Sequence, residues 1–182
     1  LALIGLLRSG LLKRFESSSF AFGNTAEKMA QSHDHFLEVL SQGYIATPEV
    51  LQLWGNLEGG ETIEWSETDN DEALDELLAE AGAEPADDYD IEALEKDVIK
   101  DRDLLRDLAV EARRVTKEED PKLIALADEL AEIVEEAEKD GITNDEIRNN
   151  RKVLIFSYFA DTVNWIEEYI LDRVEKDPRL SC

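Results

Sequence analysis

Apolar residues recur at helical spacing through most of this chain and divide it into a series of expected helices. Over about 3–42, Leu11, Leu12, Phe15, Phe20, Phe22, Met29, Phe36, Leu37 and Leu40 form one stripe. Gly10 and Gly23 are its expected breaks and Gly43 its expected stop, since glycine ends helices readily. Thr47-Pro48-Glu49 then opens a short helix through Val50, Leu51, Leu53 and Trp54, because threonine can cap and proline is tolerated at the first helical position. Residues 58–70, with Gly59-Gly60, read as a loop, 71–82 as a short helix, and 83–90 as a connection broken by Pro85. Two longer helices follow. Ile91, Leu94, Val98, Leu105, Leu108, Ala109 and Ala112 mark the first, and Leu123, Leu126, Leu130, Ile133, Val134 and Ala137 the second. The short connector between them, 117–121, favours antiparallel neighbours. Asp140-Gly141 ends the second helix, and Thr143-Asn144-Asp145-Glu146 starts one of one or two turns before Arg151.

The period changes at 152–162, KVLIFSYFADT. Val153, Leu154, Ile155 and Phe156 are apolar on both alternating faces, the pattern of a parallel strand covered on both sides by helices. Ser157 to Ala160 form a turn, and Asp161 or Thr162 caps a helix that carries Val163, Trp165, Ile166, Tyr169, Ile170 and Val174 at amphipathic spacing. The expected fold is mainly α: long antiparallel helices, as a bundle or hairpins, with one short β-strand near 153–157. The expected divisions are 1–46, an acidic helical insertion at 47–118, and 119–182. Both ends of the sequence are read as cuts within a longer protein.

Charge alters this picture most. The chain has 182 residues, with 44 acidic against 19 basic side chains and a net charge of −25. Residues 61–100 alone hold 16 acidic residues and 2 lysines, the density of a solvated segment. Such a balance opposes broad attraction to nucleic acid, whose binding rests on lysine and arginine contacts to phosphates. The single cysteine, Cys182, permits no internal disulfide and fits a reducing cytoplasm. No apolar run approaches the roughly 20 residues of a membrane span.

Several chemistries are excluded by what the sequence lacks. It has no Gly-x-x-x-x-Gly-Lys-Ser/Thr loop to cradle nucleotide phosphates. Asp71-Glu72-Ala73-Leu74 follows polar residues rather than a buried strand, and reads as the start of an acidic helix, not a metal box. His33-Asp34-His35 places its histidines on different faces of a helix, without a third ligand, so both read as surface residues. Glu16-Ser17-Ser18-Ser19 has no histidine at nucleophile spacing and reads as a polar helix face. Trp54, Trp65 and Trp165 form no spaced array, and packing is the default for each.

The segment 152–162 resembles motif IV of the Swi/Snf-like superfamily-two helicases and translocases, at the first strand of their second RecA-like lobe. Residues 120–130, DPKLIALADEL, resemble the helix before that strand, and 11–22, LLKRFESSSFAF, the segment that follows the first lobe. The three stand in family order. The resemblance implies a parent protein that uses ATP and Mg²⁺ to move along nucleic acid, DNA in preference to RNA. This chain would be the helical region between the lobes plus the opening of the second lobe, with no cofactor of its own, because the phosphate loop and the late Gln-x-x-Gly-Arg-x-x-Arg stretch are both absent. It points to Lys13, Arg14, Ser157 and Tyr158 as nucleic-acid contacts. At Tyr158 the chain departs from the common pattern, where glutamine is frequent.

Two other expectations stand beside this one. The chain could be a non-enzymatic acidic helical module that binds basic partners or mimics nucleic acid. Alternatively, its acidity is an adaptation to a salt-rich cytoplasm, where negative surface charge maintains solubility under strong screening. An unpaired apolar strand edge is also a template for association, so self-association through 151–182 is expected.

Overall fold

The first apolar stripe folds as two helices in the computed structural model, which describes residues 2–47 and 82–180. Helix α1 spans Ala2–Ser17 and α2 spans Ser19–Ser41. The break falls at Ser18, not at the glycines. The Ser18 hydroxyl accepts the Ala21 N–H at 3.0 Å, a capping bond that the expected breaks could not make. Gly10 and Gly23 instead lie within helices. At Gly23 a Cβ would stand 3.3 Å from the Ala112 Cβ, so its absence lets two helices approach closely. Gly43 does stop α2, with the positive φ of +87° that glycine accepts without strain.

Strand β1 (Tyr44–Ile45) pairs antiparallel with β2 (Glu84–Pro85), Tyr44 opposite Pro85 and Ile45 opposite Glu84. Pro85 leads into a 3₁₀ turn at Ala86–Asp88, which the Ala86 N–H ties to the Gly43 carbonyl at 2.9 Å. Helices α3 (Ile91–Ala112), α4 (Pro121–Asp140), α5 (Asn144–Asn150) and α6 (Ala160–Lys176) complete the described elements. The fold is mainly α, as expected. The helices expected after Thr47 and from Asp71, the loop 58–70, Trp54 and Trp65 lie outside the described residues.

The strand expected near 153–157 is not formed. Residues 152–157 are irregular chain, and among the described residues no backbone hydrogen bond reaches Val153, Leu154, Ile155 or Phe156. An apolar alternation makes a strand only where another strand supplies the ladder. The helix that follows also starts differently. Phe159 occupies its N-cap without a side-chain bond, while Asp161 and Thr162 sit in its first turn and bond elsewhere.

Two compact units divide the chain: 1–25 with 109–182, and 26–108. In the first, α4 packs against α5 and α6. Asp120 caps α4 by accepting the Lys122 and Leu123 N–H groups, Pro121 fills the first turn, and Leu123, Ala127 and Ala131 repeat at four-residue spacing on the buried face. Leu123 and Ala127 meet Tyr169, with Trp165, Ile166 and Ile170 packed around them. Arg179 clips the end of α6 to α4 by pairing with Asp177 at 2.8 Å and Asp128 at 3.3 Å. In the second unit, Asp34 on α2 receives Arg106 at 2.5 Å and Arg102 at 3.4 Å from α3. Among the described residues, no helix is long and apolar enough to cross a membrane.

Candidate functional site

The first turn of α6 gathers side chains from far along the sequence. The Thr162 hydroxyl lies 2.8 Å from that of Ser17 and 3.0 Å from that of Ser18, and both Ser18 and Thr162 are buried. These hydroxyls satisfy one another, as burial of polar groups requires. Beside them Asp161 faces Arg14 at 3.6 Å and accepts from the Asn24 amide at 3.3 Å. One turn on, the Trp165 ring stacks on Phe20, 4.6 Å between centroids and 6° from parallel. Its indole N–H donates to Asp120 at 3.0 Å, and the Lys117 ammonium sits 5.0 Å from the ring centre while also bonding Glu168. The Lys122 ammonium donates to the Glu16 carbonyl at the end of α1.

Three of the four residues expected at a nucleic-acid surface meet around Phe159. The Arg14 guanidinium lies 4.7 Å from the centre of the Phe159 ring. Tyr158 meets the same ring edge to face at 5.1 Å, and the Ser157 hydroxyl accepts the Phe159 N–H at 3.4 Å. Lys13 lies exposed on α1, outside this cluster. Phe159, the hub of the group, falls where the sequence predicts only a turn. The signal was available: it is one of three aromatic residues in Phe156-Ser157-Tyr158-Phe159. A guanidinium, an exposed phenol ring and a second aromatic face are the parts that stack on bases and meet phosphates. Arg14 is already partly neutralised by Asp161, which moderates its pull on an anion.

Other candidate chemistry resolves into structure. His33 makes a 2.7 Å ring-nitrogen contact to the Met29 carbonyl oxygen, and His33 and His35 are both half-buried. Asp34 between them is held by the two arginines of α3. That tie spans 68 and 72 residues, and only the four-residue spacing of Arg102 and Arg106 hinted at it. Among the described residues, no three histidine, cysteine or carboxylate side chains gather to hold a metal ion.

No protein-family model matches this chain, and neither a curated protein nor a solved structure is significantly similar to it.

Proposed function

We propose that this chain is the helical region between the two RecA-like lobes, with the opening of the second lobe, of an ATP-dependent helicase-like translocase of the Swi/Snf-like kind. One observation carries the reading. The segments 11–22, 120–130 and 152–162 resemble that family separately, and their residues converge on the first two turns of α6. Ser17 meets Thr162 across 145 residues, and Asp120 meets Trp165 across 45. All three segments belong to the compact unit formed by 1–25 with 109–182. The residues between them in sequence, 26–108, form a compact unit of their own, as a helical protrusion would.

In this reading Tyr158 stacks on a base of the bound strand, DNA in preference to RNA, while Arg14 and Lys13 approach its phosphates. ATP and Mg²⁺ bind elsewhere in the parent protein, whose expected setting is a reducing cytoplasm. The test uses the intact gene product that carries this chain. It should hydrolyse ATP faster when single-stranded DNA is added. Arg14→Ala with Tyr158→Ala should weaken DNA binding about tenfold, the equivalent of ~1.4 kcal/mol, and leave hydrolysis without DNA unchanged. The chain alone should show no turnover above a matched blank. Turnover by the chain alone that is lost on mutating one of its own residues, or an intact product indifferent to nucleic acid, would overturn the reading.

A further inference from the structure

The ends of α4 and α5 border a cleft of about 790 Å³, open on one side and lined by Glu138, Asn144, Ile147, Arg148, Arg151 and Lys152. That volume lies in the range of small-molecule sites. Asn144, Ile147, Arg148 and Arg151 stand three and four residues apart along α5 and its C-cap, so they share one face. Three cations thereby meet in a chain whose acidic residues outnumber its basic ones by more than two to one. Arg151 pairs with Glu138 through one Nη, yet its Nε is buried and makes no hydrogen bond. A buried N–H is costly to leave without an acceptor, and a ligand oxygen would supply one. From this arrangement we infer that the cleft binds a small phosphate monoester with a flat apolar body.

Only one of the three cations is neutralised in place. Lys152 bonds the uncharged Asn149 side-chain oxygen at 2.8 Å, and Arg148 has no ion pair among the described residues. The acidic residues of α5 do not line the cleft: Asp145 stands outside it, and the Glu146 carboxylate is held by the Ile142 and Thr143 N–H groups. One carboxylate against three cations leaves a surplus of two positive charges, the match for a doubly ionised phosphate. Guanidinium groups take phosphate oxygens through paired N–H donors. Ile147 and the aliphatic stems of Arg148 and Lys152 make much of the wall apolar, and a flat body can also lie against a guanidinium plane. A nucleic-acid strand fits less well, because a long polyanion meets the acidic surface beyond the cleft. A small dianion lies within a Debye length, about 8 Å at physiological salt, of the three cations and is largely screened from the rest. This inference rests on the cleft alone, not on the translocase reading.

Nuclear magnetic resonance of the isotope-labelled full chain tests it, with phenyl phosphate as the probe in about 0.15 M sodium chloride, where loose charge attraction is screened. The Arg151 Nε–H signal, assigned by its loss in Arg151→Lys, should shift saturably as the probe is added. Inorganic phosphate, which lacks the apolar body, and glucose 6-phosphate, whose body is polar, should each bind at least tenfold more weakly. Arg148→Gln and Lys152→Gln, both at exposed positions where folding is not at stake, should each weaken the probe about tenfold. Glu138→Gln, which releases Arg151, should tighten it. Lys139→Gln, on exposed α4 surface outside the cleft, should leave binding unchanged. An Nε–H signal that does not move, equal affinity for the three phosphates, or equal weakening by Lys139→Gln and Arg148→Gln would each sink the proposal.

Discussion

Asp120 does three things with one carboxylate. One oxygen accepts the Lys122 N–H at 3.0 Å and the Leu123 N–H at 3.5 Å, and the other accepts the Trp165 indole at 3.0 Å. The first two bonds start α4, and the third fixes the ring that stacks on Phe20. Asp120→Ala removes a helix cap, worth about 1 kcal/mol, and leaves a half-buried indole N–H without its acceptor, a further ~1–3 kcal/mol. A loss of about 2–4 kcal/mol in urea unfolding is expected, and Asp120→Asn should recover part of it. A loss below about 0.5 kcal/mol, the scale of ordinary surface substitutions, would show that the tie carries no weight. The sequence displays Asp before Pro, which is a start signal for a helix. It does not display the partner 45 residues on, because a side-chain bond across that span depends on how α4 and α6 pack.

Helix α5 was legible to the residue because its determinants are local. Thr143 accepts the Glu146 N–H at 3.3 Å, while the Glu146 carboxylate accepts the Ile142 and Thr143 N–H groups at 3.0 Å each. This is the reciprocal bonding that the spacing of Thr143 and Glu146 announces. The Ile142 N–H first, and then that of Thr143, hold the Glu146 carboxyl below its usual range. A depressed pKa in the folded state means that the carboxylate stabilises the fold above its unfolded pKa and ceases to do so as pH falls through the lower, folded one. Glu146→Gln keeps an acceptor but removes the titration. Its stability should therefore fall less than the parent's between neutral and acid pH, and identical acid slopes would show that Glu146 does not contribute. The structure departs from the sequence pattern only a few residues beyond. For 153–157 the pattern of apolar residues was correct, and it persists as alternating exposure. What the pattern could not contain was a neighbouring strand, and a strand is defined by its neighbour. The stripe over 3–42 failed for the opposite reason: a serine bond at Ser18, invisible to periodicity, decided where it breaks.

At the scale of the molecule, charge and packing pull against each other. The buried residues are mostly alanines, and Val39 is the one large side chain among the described residues that is almost wholly enclosed. A core of small side chains releases little free energy per residue on burial. Meanwhile carboxylates stand exposed along each long helix of the second half, among them Glu95, Asp101, Asp107 and Glu111 on α3 and Glu129, Glu132, Glu135 and Glu136 on α4. Like charges at such density repel one another more in the folded chain than in the expanded one, which lowers stability when screening is weak. The Debye length falls from about 30 Å at 0.01 M salt to about 3 Å at 1 M, so most of this repulsion is removable. The few exposed ion pairs that salt would also weaken, such as Lys176 with Asp172 and Arg114 with Glu111, contribute little individually. Repulsion therefore dominates the balance, and the thermal midpoint followed by circular dichroism should rise steadily from 0.01 M toward molar potassium chloride. Chloride and sulfate salts of one cation, matched in ionic strength, should differ only at the upper end, where sulfate also strengthens apolar burial. A midpoint that is flat or falling over the same range would mean that the acidic surface is not under repulsive load, and would favour a charge set aside for a basic partner.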